Sequence, residues 1–394
     1  MKMVGDFFSF QNGYAFKSKD FVREGKYKIV KIKELKDGLV KFFDDTAEVN
    51  LPDNFEFDKY IIQKGDVLFA LTGDPVNKPN PLSWVGRVAY YNYDEPALLN
   101  QRVCKAIPKT DIPSDFLYYF FRQNREFYRL ASKATGSASQ ANISTKTIEQ
   151  HNINIPDIEN VKTIVTFLKN IDDKISYNNR INRNLSEQAK ILYKEWFIDF
   201  GPFEGEMPGD WHLGTVEEII ELHDSKRKPL SGRQRDDMEK IYPYYGATSI
   251  MDYVDNYIFD GIYLLLGEDG SVIDTEGYPI LQYVFGKFWP NNHAHVITGE
   301  KGFSVEMLYL LFSLTNVQSI VTGAVQLKIS QQNLKTVEVV IPSYEAITEF
   351  DEMIQPIFRE IRRLRTENDK LTTLRDNLLP KLMSGELDVS DLDI

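Results

Sequence analysis

The chain contains one short pattern twice, and this repeat limits how it can fold more than any other feature. TGSASQANIS begins at Thr135 and TGAVQLKIS begins at Thr322, and in both copies a proline follows the last serine by twelve residues. At an offset of 186 positions, Gln140 matches Gln326 and the Ile-Pro pairs also coincide. A repeat on this scale predicts two copies of one structural plan in the 394-residue chain.

A long amphipathic segment follows each repeat, with apolar residues at alternating steps of three and four, which is typical of a coiled-coil seam. Asp157 and Ser343 are helix-capping residue types at equivalent positions, so both helices are expected to start there. Seam positions in the first helix are Leu168, Ile171, Ile175, Asn182, Leu185 and Leu192; those in the second are Ile357, Ile361, Leu364, Asn368, Leu371 and Leu378. A buried Asn in such a seam specifies register.

The predicted fold is α+β, with two pseudo-repeated mixed α/β domains and two long helices that form an antiparallel coiled coil. If the second helix runs antiparallel to the first, it returns towards the first domain, and we then expect a circular arrangement with two-fold pseudo-symmetry. The expected domains are residues 1–157, a central helix at 158–200, a second domain at 201–343, and a C-terminal helix and tail at 344–394. Pro380 is expected to kink or end the second helix.

Composition restricts the chemistry. A single cysteine, Cys104, excludes an internal disulfide, and no apolar run has the length of a membrane span. The N-terminus lacks a secretory signal, so a cytoplasmic location is expected. The net charge is −12, yet it is uneven: residues 201–343 carry 10 basic and 20 acidic residues, and half of the basic ones lie in KRKPLSGRQR. Such a local basic segment suits phosphate groups.

Two similar modules held at a fixed distance match DNA, because half-sites one helical turn apart face the same side of the duplex. Asn and Gln suit adenine edges, whereas Lys and Arg suit phosphates or guanine. The candidate DNA-binding residues are Lys17, Lys19, Gln140, Asn142, Lys146, Lys226, Arg227, Lys228, Arg233, Arg235, Gln326, Lys328, Gln331 and Gln332.

The order of domain, helix, domain, helix resembles the specificity subunit of type I restriction-modification systems. The motifs that carry this resemblance are the two loops with their INIP and VVIP endings, LYKEWFIDFGPFEG at 192–205 and TLRDNLLPKLMSGEL at 373–387. The resemblance implies two target recognition domains, each reading one half of a split DNA sequence. The chain itself would be non-catalytic.

The same resemblance implies partners and cofactors outside this chain. Two modification subunits would dock on the helices and methylate adenine with S-adenosylmethionine, and restriction subunits would use ATP and Mg²⁺ to translocate DNA. No cofactor or metal is expected in the chain itself, and no membrane contact. Trp196 and Phe197, at the end of the first helix, are candidate contacts for a modification subunit.

Alternative functions find less support in the residues. Asp172 and Lys174 form part of a loose nuclease pattern, but the seam makes them helical, and a methyltransferase would need an Asn/Asp-Pro-Pro-aromatic motif that is missing. His293 and His295 have the spacing of metal ligands on one strand face, without a third ligand nearby in sequence. A coiled-coil scaffold that binds only protein remains the main alternative, and salt-sensitive DNA binding would distinguish the two.

Overall fold

The structure is a computed structural model that describes residues 2–51, 57–78, 80–137, 139–323, 325–387 and 389. The chain divides into two compact units: the first lies within residues 1–175 and 370–394, and the second comprises residues 176–369. Both divisions fall inside long helices, so each unit contains a part of both. Within the described ranges, no helix combines the length and apolarity needed to span a membrane.

Two long helices are present, as the seam pattern predicts. The first long helix runs over Ile158–Phe197 and the second long helix over Tyr344–Ser384. Ser343 caps the second, since its Oγ accepts a hydrogen bond from the amide of Ala346 at 3.4 Å. Pro380 is expected to kink or end this helix, and it does not end it: the helix continues to Ser384, and Leu382 and Met383, beyond the proline, are buried in the core of the first unit.

Within the second unit the two helix segments run antiparallel. Asn178 Nδ2 donates to Asn368 Oδ1 at 2.9 Å, and further along the first long helix the Phe197 ring packs on Phe350 with centroids 4.8 Å apart. Later residues of the first long helix therefore contact earlier residues of the second. Ile361 and Leu364 are each 1% exposed; among the seam residues of this unit, Asn182, Leu185, Leu192, Ile357 and Asn368 are half-buried.

The helix segments of the first unit also run antiparallel. Asp172 accepts a hydrogen bond from Arg375 at 2.6 Å, while nearer the start of the first long helix Leu168 shares a core with Leu382. Arg375, an unexpected residue in an apolar seam, is 8% exposed and is neutralised by this ion pair. The seam residues of this unit are Leu168 and Ile171, which are buried, and Ile175, Leu371 and Leu378, which are half-buried.

The aromatic end of the first long helix lies inside the second unit, so its proposed contact with a modification subunit is wrong. Trp196 and Phe197 are 9% and 4% exposed and pack on Phe350. Trp211, in the segment that follows the helix, packs on Phe197 with centroids 5.6 Å apart. The chain thus folds back and covers the rings itself, which burial of aromatic surface favours.

Each unit contains a six-stranded sheet, and the two sheets are built alike. Numbered by chain order within each sheet, the strands are arranged 1-6-4-5-3-2 in the first unit and 1-6-4-5-2-3 in the second. In both sheets the fourth neighbouring pair is parallel and the other pairs are antiparallel. The two sheets therefore share the order of their first four strands, and only the outer hairpin is attached differently. In the order of the sheets, the strands are Phe8–Asn12, Val103–Pro108, Val67–Ala70, Val88–Tyr90, Leu39–Val40 and Leu35–Lys36 in the first unit, and Ile220–Leu222, Ala294–Gly299, Phe259–Gly267, Leu281–Pro290, Tyr242–Tyr245 and Ile250–Val254 in the second.

Both faces of each six-stranded sheet are covered by apolar cores, as the residues of the central strands show. In the first unit Val67 and Phe69 face the core that contains the helices, whereas Leu68 faces a separate core on the other side. In the second unit Leu264 faces the helical core and Leu265 the opposite one. Because successive strand residues point to opposite faces, continuous apolar runs such as VLFA and YLLL predict strands that are buried on both sides.

Smaller elements complete the described part of the chain. The remaining strands of the first unit are Phe21–Val22, Tyr27–Val30, Glu48–Val49, Ile61–Ile62, Ala97–Leu99, Thr72–Gly73, Thr135–Ser137 and Gln140–Asn142; those of the second are His212–Thr215, Glu338–Ile341, Asp269–Gly270 and Leu327–Lys328. The short α-helices are Val4–Phe7, Ser114–Arg122, Asn124–Ala131, Thr145–Glu149, Gly232–Asp236, Val305–Ser313 and Gln331–Lys335. Single 3₁₀ turns occupy Ser18–Asp20, Ile32–Glu34, Asp58–Tyr60, Pro81–Ser83, Gly201–Phe203, Val216–Glu218, Asp224–Lys226 and Gln318–Ile320.

Candidate nucleic-acid interface

The repeated sequence forms a hairpin at the same point of each unit. We call residues 135–144 the first repeat loop and residues 322–330 the second repeat loop. In the first, the amide of Ile143 donates to the carbonyl of Leu71 at 2.9 Å; in the second, the amide of Ile329 donates to the carbonyl of Glu268 at 2.9 Å. Leu71 and Glu268 directly follow the central strand of their sheets. The loops thus occupy equivalent positions.

One glycine closes each hairpin and cannot be replaced without strain. Gly136 has a φ of +143° and Gly323 a φ of +92°, in the region that disfavours a side chain. A Cβ atom on Gly136 would lie 2.3 Å from the carbonyl oxygen of Gln140, and one on Gly323 would lie 2.1 Å from that of Gln326. The shared Thr-Gly and Gln of the two sequences therefore close similar turns, the second of which is one residue shorter than the first.

A serine ends each loop and starts a short helix. Ser144 Oγ accepts a hydrogen bond from the amide of Thr147 at 3.1 Å, and Ser330 Oγ accepts one from the amide of Asn333, also at 3.1 Å. These caps are why the final serine of each repeat is needed. They place Lys146 and Gln331 in the first turns of their helices.

Three of the predicted DNA contacts of the first unit lie on its repeat loop and on the short helix that follows it. Gln140, Asn142 and Lys146 are all exposed. Asn142 is partly committed, since its Oδ1 accepts a hydrogen bond from Thr72 Oγ1 at 2.9 Å. Lys17 and Lys19 are exposed around a separate turn. Among the hydrogen bonds and ion pairs of the described residues, none joins these two lysines to the loop.

The second repeat loop also presents its predicted residues to solvent, namely Gln326, Lys328, Gln331 and Gln332. Val325, which sequence reasoning missed, is fully exposed beside them. The corresponding part of the first repeat loop carries two hydroxyl groups, those of Ser137 and Ser139, whose oxygen atoms lie 3.0 Å apart. One loop is therefore polar at this point and the other is apolar.

The basic segment at 226–235 separates into two groups. Lys226, Lys228 and Arg233 are exposed. Arg227 instead forms an ion pair with Glu268 at 2.7 Å, and its side chain is only 11% exposed. Arg235 pairs with Asp252 at 2.7 Å and stacks over an aromatic ring. Both arginines are held by acidic residues of their own unit, so we keep only the first three as DNA candidates in this segment.

Arg227 belongs to a buried network that ties the second repeat loop to the sheet. His295 contacts Asp224 through Nδ1 at 2.6 Å and the carbonyl of Ile329 through Nε2 at 2.8 Å. Burial by itself would raise the pKa of Asp224, but hydrogen bonds from His295, the amide of Val296 and Gln331 hold it below its usual value. Cys104 occupies the position of His295 in the first sheet, as the strand registers show, and burial raises its pKa.

The same network bears on the predicted histidine pair. His293 lies in a turn and contacts Asp269, whereas His295 lies on the strand, so the two do not share a strand face. Asp224, Glu268 and His295 are close enough together to hold a metal ion. However, the Arg227 guanidinium already donates to Glu268 and lies 3.3 Å from Asp224, so the cluster has its own cation.

An aromatic surface next to the basic segment was also missed. The Lys287 ammonium lies 4.6 Å from the ring centroid of Tyr257, and its hydrogen bond with that phenol raises the pKa of the lysine. Trp289 Nε1 donates to the carbonyl of Lys228 at 2.7 Å, which ties this strand to the basic segment. The lysine flanked by aromatic residues in FGKFWP is the signal that identifies this surface.

Comparison with known proteins agrees with this architecture. The family model described as "Type I restriction modification DNA specificity domain" matches residues 1–187 and 208–373, one copy for each repeat. The specificity subunit of the type I restriction enzyme MjaIX from Methanocaldococcus jannaschii is 26% identical over 328 residues, which cover 75% of this chain and 74% of that protein. The HindI specificity subunit from Haemophilus influenzae is 22% identical over 413 residues, covering 84% and 88%.

A solved structure shows the same fold. The crystal structure of the S subunit of the type I restriction-modification system from M. genitalium superposes with a TM-score of 0.59 at 17% identity, covering 99% of this chain and 96% of that one. Since the family model also spans both repeats, the chain belongs to the type I restriction-modification DNA specificity family, as a non-catalytic subunit that supplies sequence recognition.

Proposed function

We propose that this specificity subunit reads a split DNA sequence, with one half-site read by the first repeat loop and the other by the second. The observation that carries this proposal is the equivalence of the loops: each has a glycine-closed turn, a serine cap and the same attachment to its sheet. Two identical attachments on two similar units suit a target with two half-sites.

Within this proposal, the exposed residues divide by chemistry. Gln140, Asn142 and Gln326 present amide groups that suit adenine edges. Lys146 and Lys328 suit phosphates, although Lys328 lies 3.3 Å from Glu268 and must share its charge. The acidic second unit, with a net charge of −10 over residues 201–343, would depend on an additional phosphate-binding group made of Lys226, Lys228 and Arg233.

We also propose which subunits and cofactors act together with this chain. Two modification subunits would carry S-adenosylmethionine and methylate adenine, and restriction subunits would carry ATP and Mg²⁺. The chain itself would hold no cofactor. A cytoplasmic location fits a protein that acts on chromosomal DNA.

The proposal is tested by co-expressing the chain with its modification subunit in a host without adenine methylation and mapping methyladenine across the genome. The expected result is a split motif with one fixed gap, absent when this chain is omitted. A methyltransferase complex that assembles and binds S-adenosylmethionine but adds no such motif would contradict the proposal. Gly323→Ala, which strains the second loop alone, should weaken methylation at this motif, with Gly209→Ala, at a glycine with open space around it and no positive φ, as control.

A further inference from the structure

A polar cluster joins the six-stranded sheet of the first unit to the first long helix. We call Tyr90, Asp115, Tyr118 and Lys169 the first anchor cluster. Lys169 Nζ, on the long helix, donates to the phenol oxygen of Tyr90 on the sheet at 3.2 Å and lies 4.0 Å from a carboxylate oxygen of Asp115. The rings of Tyr90 and Tyr118 are in contact, with centroids 5.7 Å apart. Sheet, short helix and long helix thus meet at one point.

The second unit contains a similar cluster. We call Tyr283, Glu306, Tyr309 and Gln355 the second anchor cluster. The Tyr283 hydroxyl donates to Glu306 Oε1 at 2.6 Å, and Gln355 Nε2, on the second long helix, donates to Glu306 Oε2 at 3.3 Å. The rings of Tyr283 and Tyr309 lie 5.9 Å apart.

The sheet positions of the two clusters are equivalent by strand register. Tyr90 pairs with Val67, and Tyr283 pairs with Leu264. Val67 lies four residues before the carbonyl that anchors the first repeat loop, and Leu264 lies four residues before the carbonyl that anchors the second. Each tyrosine therefore neighbours the strand that carries its loop.

The helix positions are equivalent as well. Asp115 and Glu306 are the second residues of the short helices Ser114–Arg122 and Val305–Ser313, and Tyr118 and Tyr309 are the fifth. Lys169 and Gln355 are separated by 186, the offset of the repeat. Four positions on three elements therefore coincide, which ordinary packing of the two units does not require.

Burial makes the second anchor cluster specific for one geometry. Glu306 is 3% exposed and is neutralised by Arg362, whose guanidinium lies 2.6 Å from its carboxylate and also donates to the Tyr283 hydroxyl. The first anchor cluster is more open, since 45% of the Lys169 side chain is exposed, but burial still raises the pKa of Asp115. Burial alone would lower the pKa of Lys169, but the hydrogen bond with Tyr90 and the nearby carboxylates raise it. Buried polar groups of this kind are costly in any arrangement that leaves them unpaired.

We propose that the two anchor clusters are positioning devices. The first fixes the orientation of its six-stranded sheet on the first long helix, and the second fixes that of its sheet on the second long helix. Together they restrict the DNA target to one gap length. This inference rests on the proposed function. Apolar contacts are not directional and permit a sheet to shift on a helix, whereas hydrogen bonds to a buried carboxylate weaken steeply with angle. A shift of the sheet moves the attached repeat loop with it.

The test uses Tyr283→Phe, which removes the hydroxyl and keeps the ring. The modification complex is given plasmids that carry both half-sites with gaps one or two base pairs shorter or longer than the genomic motif. We expect Tyr283→Phe to raise methylation at the neighbouring gaps about fivefold or more relative to the original gap, with both half-sites unchanged. Tyr309→Phe is the matched control, because its hydroxyl has no hydrogen bond among the described residues.

Lys169→Met extends the test to the first anchor cluster and replaces it where Tyr283→Phe fails to assemble. A gap preference as sharp as that of the unsubstituted protein in assembled variants would overturn the inference, even where thermal stability falls, since the clusters would then only stabilise the units. If the unsubstituted complex produces no split motif at all, it is the proposed function that fails. The two failures are therefore distinguishable.

Discussion

At the scale of single residues, side chains that look alike in sequence differ in what surrounds them. Lys226, Arg227 and Lys228 are consecutive, yet Arg227 turns inward to Glu268 while its two neighbours face solvent. Arg235 likewise pairs with Asp252. The pairing acids are 41 and 17 residues away, so local charge counting groups five basic residues that the fold separates into three and two.

The exposed group gives a direct prediction. Replacing Lys226, Lys228 and Arg233 together by Gln should weaken DNA binding by the assembled complex and reduce the slope of log affinity against log salt by roughly 2 to 3, about 0.9 for each phosphate that is no longer neutralised. Filter binding or fluorescence anisotropy over a salt series measures both. Lys335→Gln is the control, because Lys335 already pairs with Glu217 of its own unit; an equal effect of that substitution would contradict the assignment.

A buried histidine predicts how the first unit responds to acid. His151 is fully buried with Nε2 2.9 Å from Glu126, and burial lowers its pKa below 6.5 although Glu126 acts in the opposite direction. Because the unfolded chain binds the proton more tightly, the stability that this group contributes is complete above pH 6.5 and is lost as the pH falls through the lowered value. Urea unfolding between about pH 7 and about pH 5.5 should show a smaller loss of stability for His151→Gln than for the unsubstituted chain; equal losses would contradict this.

At the scale of elements, the long helices show which features hydrophobic periodicity predicts and which it does not. Apolar residues at steps of three and four predict both helices and their seam. The family to which the chain belongs argues against the alternative of a scaffold that binds only protein. Periodicity did not predict that Trp196 and Phe197 are covered, because Trp211 reaches them through a loop without regular periodicity. A loop that folds back creates contacts that no helical pattern records.

The asparagines of the seam form one hydrogen-bonded pair, and the second pair that the repeat would produce lacks one asparagine. Asn178 bonds to Asn368, and one turn further along the first long helix the antiparallel register sets Asn182 opposite Leu364. The repeat offset of 186 maps Asn182 onto Asn368 and Asn178 onto Leu364, so Leu364 replaces the asparagine that would complete a second pair. The Oδ1 atoms of Asn178 and Asn182 are both buried without a hydrogen-bond partner among the described residues, but the Asn178 amide group also donates to Asn368.

This asymmetry predicts opposite effects of one substitution at two neighbouring positions. Asn182→Leu should raise the free energy of unfolding by about 1 kcal/mol, because it removes an unsatisfied buried oxygen opposite an apolar residue. Asn178→Leu should lower it by about 1 to 3 kcal/mol, because Asn368 then loses its donor. Urea denaturation measures both, and changes of the same sign would contradict the pairing.

At the scale of the whole molecule, the helices connect the repeats and are expected to measure the distance between half-sites. Inserting four residues after Asn178 and four before Asn368 keeps their hydrogen bond and adds about 6 Å of helix. At about 3.4 Å for each base pair, the gap in the methylated motif should lengthen by about two base pairs while both half-sites stay unchanged.

The comparison for this experiment is insertion into the first long helix alone, which should disrupt the register and reduce methylation. Methyladenine mapping reads out both insertion variants. An unaltered gap after the matched insertion, or altered half-sites, would show that the helices do not set the spacing.

The repeat, the two long helices and the family follow from the sequence alone, because these depend on periodicity and on residues close together in the chain. Only the tertiary structure decided that Arg227 and Arg235 are paired with acids, that Trp196 and Phe197 are buried, and that Tyr90 and Tyr283 meet their long helices. Those outcomes depend on which distant groups share a buried environment. Neutralising buried charge and covering apolar surface are effects of the folded state, and they leave no regular signal along the chain.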